Sequence, residues 1–132
     1  SRRQRQMCIR DRKNIKEMIE SLTEKGYISS QADLRNQSVL AWDMGRLVLI
    51  ARCCFECGYI TEEKAWCYME EAHKKCCAVY GDWKEFAAGY VIGRCMWGGM
   101  KQMPGGIMGI AEGLLRDQES PWQKVQLHVF EM

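Results

Sequence analysis

Two Gly-Arg dipeptides, Gly45-Arg46 and Gly93-Arg94, each sit among apolar residues at helical spacing, and Asp43 lies one turn before the first of them. A guanidinium is a rigid fork that matches a carboxylate or a phosphate through paired hydrogen bonds. Buried alone it is costly, because an unpaired ion in the interior loses several kcal/mol of hydration. Arg94 falls on the core-facing stripe of its segment, and Asp43 falls on the stripe Leu40, Asp43, Leu47, Ile50 and Cys54. The expectation is an ion-pair network centred on Asp43 that takes in Arg94 and Arg46 where their two helices touch. The glycines point the same way, since each costs a helix about 1 kcal/mol relative to alanine and is best explained by close approach of a neighbouring backbone. A second reading uses the same side chains differently: Arg46, Arg52 and Arg94 line a site for an anionic small molecule beneath the glycine-rich stretch 98–106.

Other residue types able to do chemistry give weaker patterns. Cys54-Phe55-Glu56-Cys57 is a C-x-x-C and Cys76-Cys77 follows, but a structural zinc site needs two such knuckles on turns, and these cysteines fall within or at the ends of helices. Packing as reduced thiols is the better reading. Neither His73 nor His128 is paired by sequence with a nucleophile. The stretch 98–106 carries neither of the glycine motifs that cradle phosphates. No catalytic residue, metal or cofactor is expected, and the reading leans away from an enzyme.

The elements that must position these residues are helical. Residues 14–25 place Ile15, Met18, Ile19 and Leu22 on one face, with Gly26 as the stop. Ser38 caps a long segment, about 38–57, whose run Leu47 to Ala51 has no polar side, so it is expected to be the buried centre of the domain. Thr61 caps the next helix, with Ala65, Trp66, Met69, Ala72, Cys76 and Tyr80 inward. Asp82-Trp83-Lys84-Glu85 resembles a capping box opening a fourth helix. Residues 107–117 form a fifth, Ser120-Pro121 opens a last short turn, and 127–130 read as a short extended segment. The predicted fold is an all-α, compact bundle of about five helices.

The chain has 132 residues, 47% of them hydrophobic, enough for one domain with its own core. Its 19 basic and 17 acidic side chains are unevenly placed: five arginines and Asp11 fall in residues 1–12, leaving a slight acidic excess elsewhere. A nucleic-acid footprint needs a basic face, and none is visible beyond that leader. The run Arg5-Gln6-Met7-Cys8-Ile9-Arg10-Asp11-Arg12 resembles a peptide produced in metagenomic catalogues when residual sequencing-adapter DNA is translated. Residues 1–12 are therefore expected to be a non-native or disordered leader, and 13–132 a single helical domain. The leader has no apolar core and no segment reaches membrane-spanning length, so a cytoplasmic protein is expected.

Several separated motifs occur in a characteristic order: Ala41-Trp42-Asp43-Met44-Gly45-Arg46, Ala51-Arg52, Gly58-Tyr59-Ile60-Thr61-Glu62-Glu63, Ala65-Trp66, Trp83-Lys84-Glu85-Phe86, Tyr90, Gly93-Arg94, Trp97-Gly98-Gly99 and Ser120-Pro121-Trp122. Over about residues 38–122 the chain resembles the bacterial family catalogued as domain of unknown function 1266. The resemblance implies a mostly helical fold without an assigned activity. It marks Trp42, Asp43, Arg46, Arg52, Trp83, Tyr90, Arg94, Trp97 and Trp122 as motif positions. Cys53, Cys54 and Cys57 depart from the family pattern, which weakens a zinc site further. The functional expectation is a non-enzymatic interaction module acting on a protein partner or as a homodimer, with the anionic-ligand site as the alternative.

Overall fold

The computed structural model describes residues 2–97 and 105–128, except for the side chains of residues 7–11, 14, 15, 35, 36, 97 and 105. Among the described residues six helices follow one another: α1 (Arg2–Glu24), α2 (Leu40–Glu56), α3 (Glu62–Val79), α4 (Trp83–Trp97), α5 (Gly105–Arg116) and the single turn α6 (Pro121–Lys124). A 3-10 segment, Gln31–Asn36, joins α1 to α2. The fold is all-α, with no strand among the described residues. Residues 127 and 128 form a turn where the pattern predicts extended chain, and 129–130 lie outside the described residues. Helix α1 begins at Arg2, so residues 2–12, expected to be a non-native or disordered leader, are continuous with the first helix.

Local chemistry sets most boundaries. Gly26 and Gly58 take the left-handed backbone that ends α1 and α2, at φ 81° and 80°. Thr61 Oγ1 accepts from the Lys64 amide at 3.1 Å, and Ser120 Oγ accepts from the Trp122 amide at 3.2 Å. Asp82 Oδ1 accepts from the Glu85 amide at 2.9 Å. The reciprocal bond lands one residue early, because Glu85 Oε2 accepts from the Gly81 amide at 2.6 Å.

Two apolar clusters hold the helices. Met18, Leu22, Tyr27 and Ile28 pack with Ala87, Ala88, Val91, Ile92 and Cys95 of α4 and with Met108 and Ala111 of α5. Ala41, Cys76, Tyr80 and Leu127 form the second, with Met44, Trp83, Phe86 and Tyr90 around them. Helix α2 lies against both α3 and α4, yet the deepest burial falls on α4. The buried side chains of α2 are Ala41 and Ala51, while Leu49 and Ile50 are 59% and 52% exposed. The all-apolar run thus reaches the surface, because the buried side chains through which α2 meets its neighbours are small.

Candidate functional site

Helices α2 and α4 cross at glycines, as their cost predicts. A Cβ on Gly93 would sit 2.5 Å from the Cβ of Trp42, and one on Gly45 would sit 2.9 Å from the Tyr90 ring. The close approach brings Trp42 edge-on to Tyr90, with ring centroids 5.2 Å apart. Both Gly-Arg arginines then converge on one indole. The Arg94 guanidinium carbon lies 5.4 Å and that of Arg46 5.8 Å from the Trp42 ring centroid. A π face attracts a cation through its quadrupole, which supplies part of what a half-buried guanidinium needs.

The expected Asp43 network is not formed. Asp43 is exposed and enters no ion pair among the described residues, where the ion pairs are Lys25 with Glu112 and Lys124 with Glu119. It stands in the first turn of α2, where a carboxylate favours the helix dipole. Asp43→Asn is accordingly expected to cost less than about 1 kcal/mol in urea unfolding, whereas breaking a buried ion pair costs about 3–5 kcal/mol.

The aromatic motif residues have a shared structural task. Trp83 stacks on Trp122 with centroids 4.9 Å apart and planes 3° apart. Phe86 meets Trp83, Trp122, Tyr80 and Tyr90 at 5.4, 5.9, 5.8 and 6.3 Å. Through Tyr90 the cluster reaches Trp42, so Trp42, Trp83, Tyr90 and Trp122 belong to one connected set of rings. Trp97 ends α4, and its side chain lies outside the described residues. Tyr80, buried at the edge of this cluster, donates its hydroxyl to the Ser38 carbonyl at 2.8 Å and accepts from the Ala41 amide at 2.9 Å. It therefore pins the start of α2 to the end of α3. Burial pushes the Tyr80 phenol above its ordinary range, and burial beside Cys77 pushes the Cys76 thiol up to about 11.

The two histidines hold main chain. His73 Nε2 lies 2.6 Å from the Leu127 carbonyl and His128 Nε2 lies 2.7 Å from the Tyr80 carbonyl. A carbonyl only accepts, so each ring presents Nε2–H. Cys77 Sγ is 3.3 Å from the same His73 nitrogen, but that nitrogen already donates to a carbonyl and cannot take a thiol proton. Among the described residues, no three His, Cys, Asp or Glu side chains come together as a metal-binding set.

Among the cavities of the described residues are two apolar ones without an arginine in the wall. One of about 200 Å³ lies between α4 and α5, lined by Phe86, Tyr90, Ile107, Ile110, Leu114 and Trp122 among others. The other, about 150 Å³, lies under Met44, Val48, Met69, Cys76, Phe86 and Leu127. Both walls are almost wholly apolar. Arg46 and Arg52 are exposed on α2 and Arg94 is half-buried. Residues 98–104 of the stretch that would cover an anion lie outside the described residues, while Gly105 and Gly106 begin α5.

The feature not legible from periodicity is the α2–α3 hairpin. Its seam is made by Ala51, Ala65 and Ala72, all buried, and no residue from 45 to 75 belongs to either apolar cluster. Small seam residues let the helices approach closely and leave the large side chains outside. Leu49, Ile50, Phe55, Tyr59, Trp66 and Tyr68 are exposed, six of the ten large exposed apolar residues among the described residues, so this surface is concentrated on one arm. Trp66, predicted inward, is 55% exposed. The run Leu47 to Ala51 has no polar side, and Leu49 and Ile50 of that run are exposed.

The chain belongs to the family described as protein of unknown function (DUF1266), whose model matches residues 4–127. The match extends to both sides of the motif region and takes in most of α1. Comparison with curated proteins found no match, and comparison with solved structures found none. No helix among the described residues is long and apolar enough to cross a membrane.

Proposed function

We propose that this member of a family without an assigned activity is a non-enzymatic interaction module, and that the outer half of the α2–α3 hairpin is the part that docks on another protein chain. The observation that carries the reading is the exposure of Leu49, Ile50, Phe55, Tyr59, Trp66 and Tyr68 on an arm that neither apolar cluster supports. Single exposed apolar residues are ordinary on a monomer, but their concentration on one element marks an interaction surface. Burying a Leu, Ile or Phe fully is worth about 1.5–3 kcal/mol, so a few of these side chains suffice to drive association. Tyrosine and tryptophan suit the task, since they bring large area and few rotamers. The reading includes a reducing cytoplasm, where the exposed thiols Cys53, Cys57 and Cys67 of the same arm stay reduced.

The arginines support a structural task better than an anion site, because two of the three flank an indole. The test replaces Tyr59 and Trp66, 80% and 55% exposed, with serine in one chain. Self-association by sedimentation velocity and capture of partner chains from host cells are measured for both forms. Association at least about tenfold weaker in the double variant, a change of about 1.4 kcal/mol, with unchanged unfolding, is the expected result. A wild-type chain that stays monomeric and captures nothing the variant fails to capture would end the reading.

A further inference from the structure

Beyond the hairpin, residues 125–128 are held in an unusual way. Trp83 Nε1 donates to the Val125 carbonyl at 2.7 Å, and the Leu127 carbonyl takes His73 Nε2 at 2.6 Å and Cys77 Sγ at 3.5 Å. In return His128 Nε2 donates to the Tyr80 carbonyl at 2.7 Å. These bonds join the segment to α3 through His73, Cys77 and Tyr80 and to α4 through Trp83. These are side-chain to main-chain bonds, and among the described residues no helical or sheet ladder joins the segment to α3 or α4.

Leu127, 3% exposed, is the one buried side chain of the segment; Val125 is 45% exposed and Gln126 is exposed. It forms part of the wall of the apolar cavity of about 150 Å³, next to Cys76, so the space beneath it is already incompletely filled. The chain enters from α6, a single turn closed by the Val125 amide on the Pro121 carbonyl at 2.9 Å. Segments with few apolar anchors and no ladder open at lower free energy than the helices they lie on.

We propose that residues 125–128 form a latch that releases from α3 and α4 as a unit while the helices stay folded, opening the apolar cavity between α2 and α3. Closed, the latch braces the end of α3 against the start of α4. Open, it removes a tie between the hairpin and the body.

Two buried thiols report on this independently. Cys76 lines the cavity under Leu127, whereas Cys95 is buried in the other apolar cluster, on α4. The experiment is native-state thiol labelling of the full chain, with Cys77 kept because its Sγ bonds the Leu127 carbonyl, read site by site by mass spectrometry across sub-denaturing urea. The size of the urea slope measures how much surface opens, irrespective of each thiol's intrinsic reactivity. Cys76 is expected to label through a shallow slope, at most about half that of Cys95, whose slope should equal that of global unfolding. Introducing Gly93→Ala, which strains the α2–α4 crossing, should speed Cys95 about tenfold or more, so that chain serves only to confirm that Cys95 follows global unfolding. Equal, full-size slopes at Cys76 and Cys95 in the chain with native Gly93 would overturn the latch, because Leu127 would then leave only on global unfolding.

Discussion

Gly93→Ala is expected to lower stability by about 3 kcal/mol, at the upper end of overpacking costs. The added Cβ would fall 2.5 Å from the Cβ of Trp42 and 3.2 Å from the Cβ of Val39. Both neighbours are atoms fixed to the α2 backbone, so no rotamer change relieves the clash and the two helices must separate. Separation would also loosen the Trp42 to Tyr90 contact and the two cation contacts on the indole. Gly113→Ala supplies the opposite sign. A Cβ there meets nothing within 4 Å, so the change should stabilise α5 by about 0.5–1 kcal/mol. Urea unfolding of the two variants separates glycine needed for contact from glycine that merely weakens a helix. Equal effects would show that the crossing is not the reason for Gly93.

Tyr80→Phe is expected to cost about 2 kcal/mol while keeping the ring in place. The hydroxyl serves two buried partners, the Ala41 amide and the Ser38 carbonyl. Ala41 is fully buried, so its amide has no water to turn to once the oxygen is gone. Because the aromatic contact with Phe86 survives the substitution, the loss measured by urea unfolding isolates the clamp on the first turn of α2. Ser38→Ala, which keeps both main-chain partners of Tyr80, should cost well under half as much. A Tyr80→Phe chain as stable as the parent would mean that the start of α2 is held by its other contacts.

The parts of this fold legible in the sequence are those governed by local chemistry. Gly26, Gly58, Thr61, Asp82 and Ser120 end or open helices because of backbone freedom and side-chain oxygens, which act within a few residues. The paired glycines also announced themselves, since a helix interior uses glycine at a cost. Misreadings arose where the outcome depends on what lies opposite. Asp43 shares a stripe with Leu40 and Leu47, but α2 packs through Ala41, Gly45 and Ala51, so that stripe turns outward at Asp43 and Ile50. Arg94, expected on a core-facing stripe, is half-buried with its guanidinium carbon 5.4 Å from the Trp42 ring centroid, and an indole also stabilises a cation. Periodicity reports which residues share a face; it does not report how much of that face a neighbouring helix covers, and Leu49 and Ile50 are left exposed.

The most direct measurement of the docking surface is site-specific photo-crosslinking. A photoreactive residue is placed at Tyr59, on the hairpin, and in a second chain at Lys84, an exposed position on α4. Adducts to another protein chain, whether a second copy or a different protein, are predicted from position 59 and not from position 84. Adducts from position 84 alone, or equal yields from both, would contradict the assignment of the α2–α3 hairpin as the docking element.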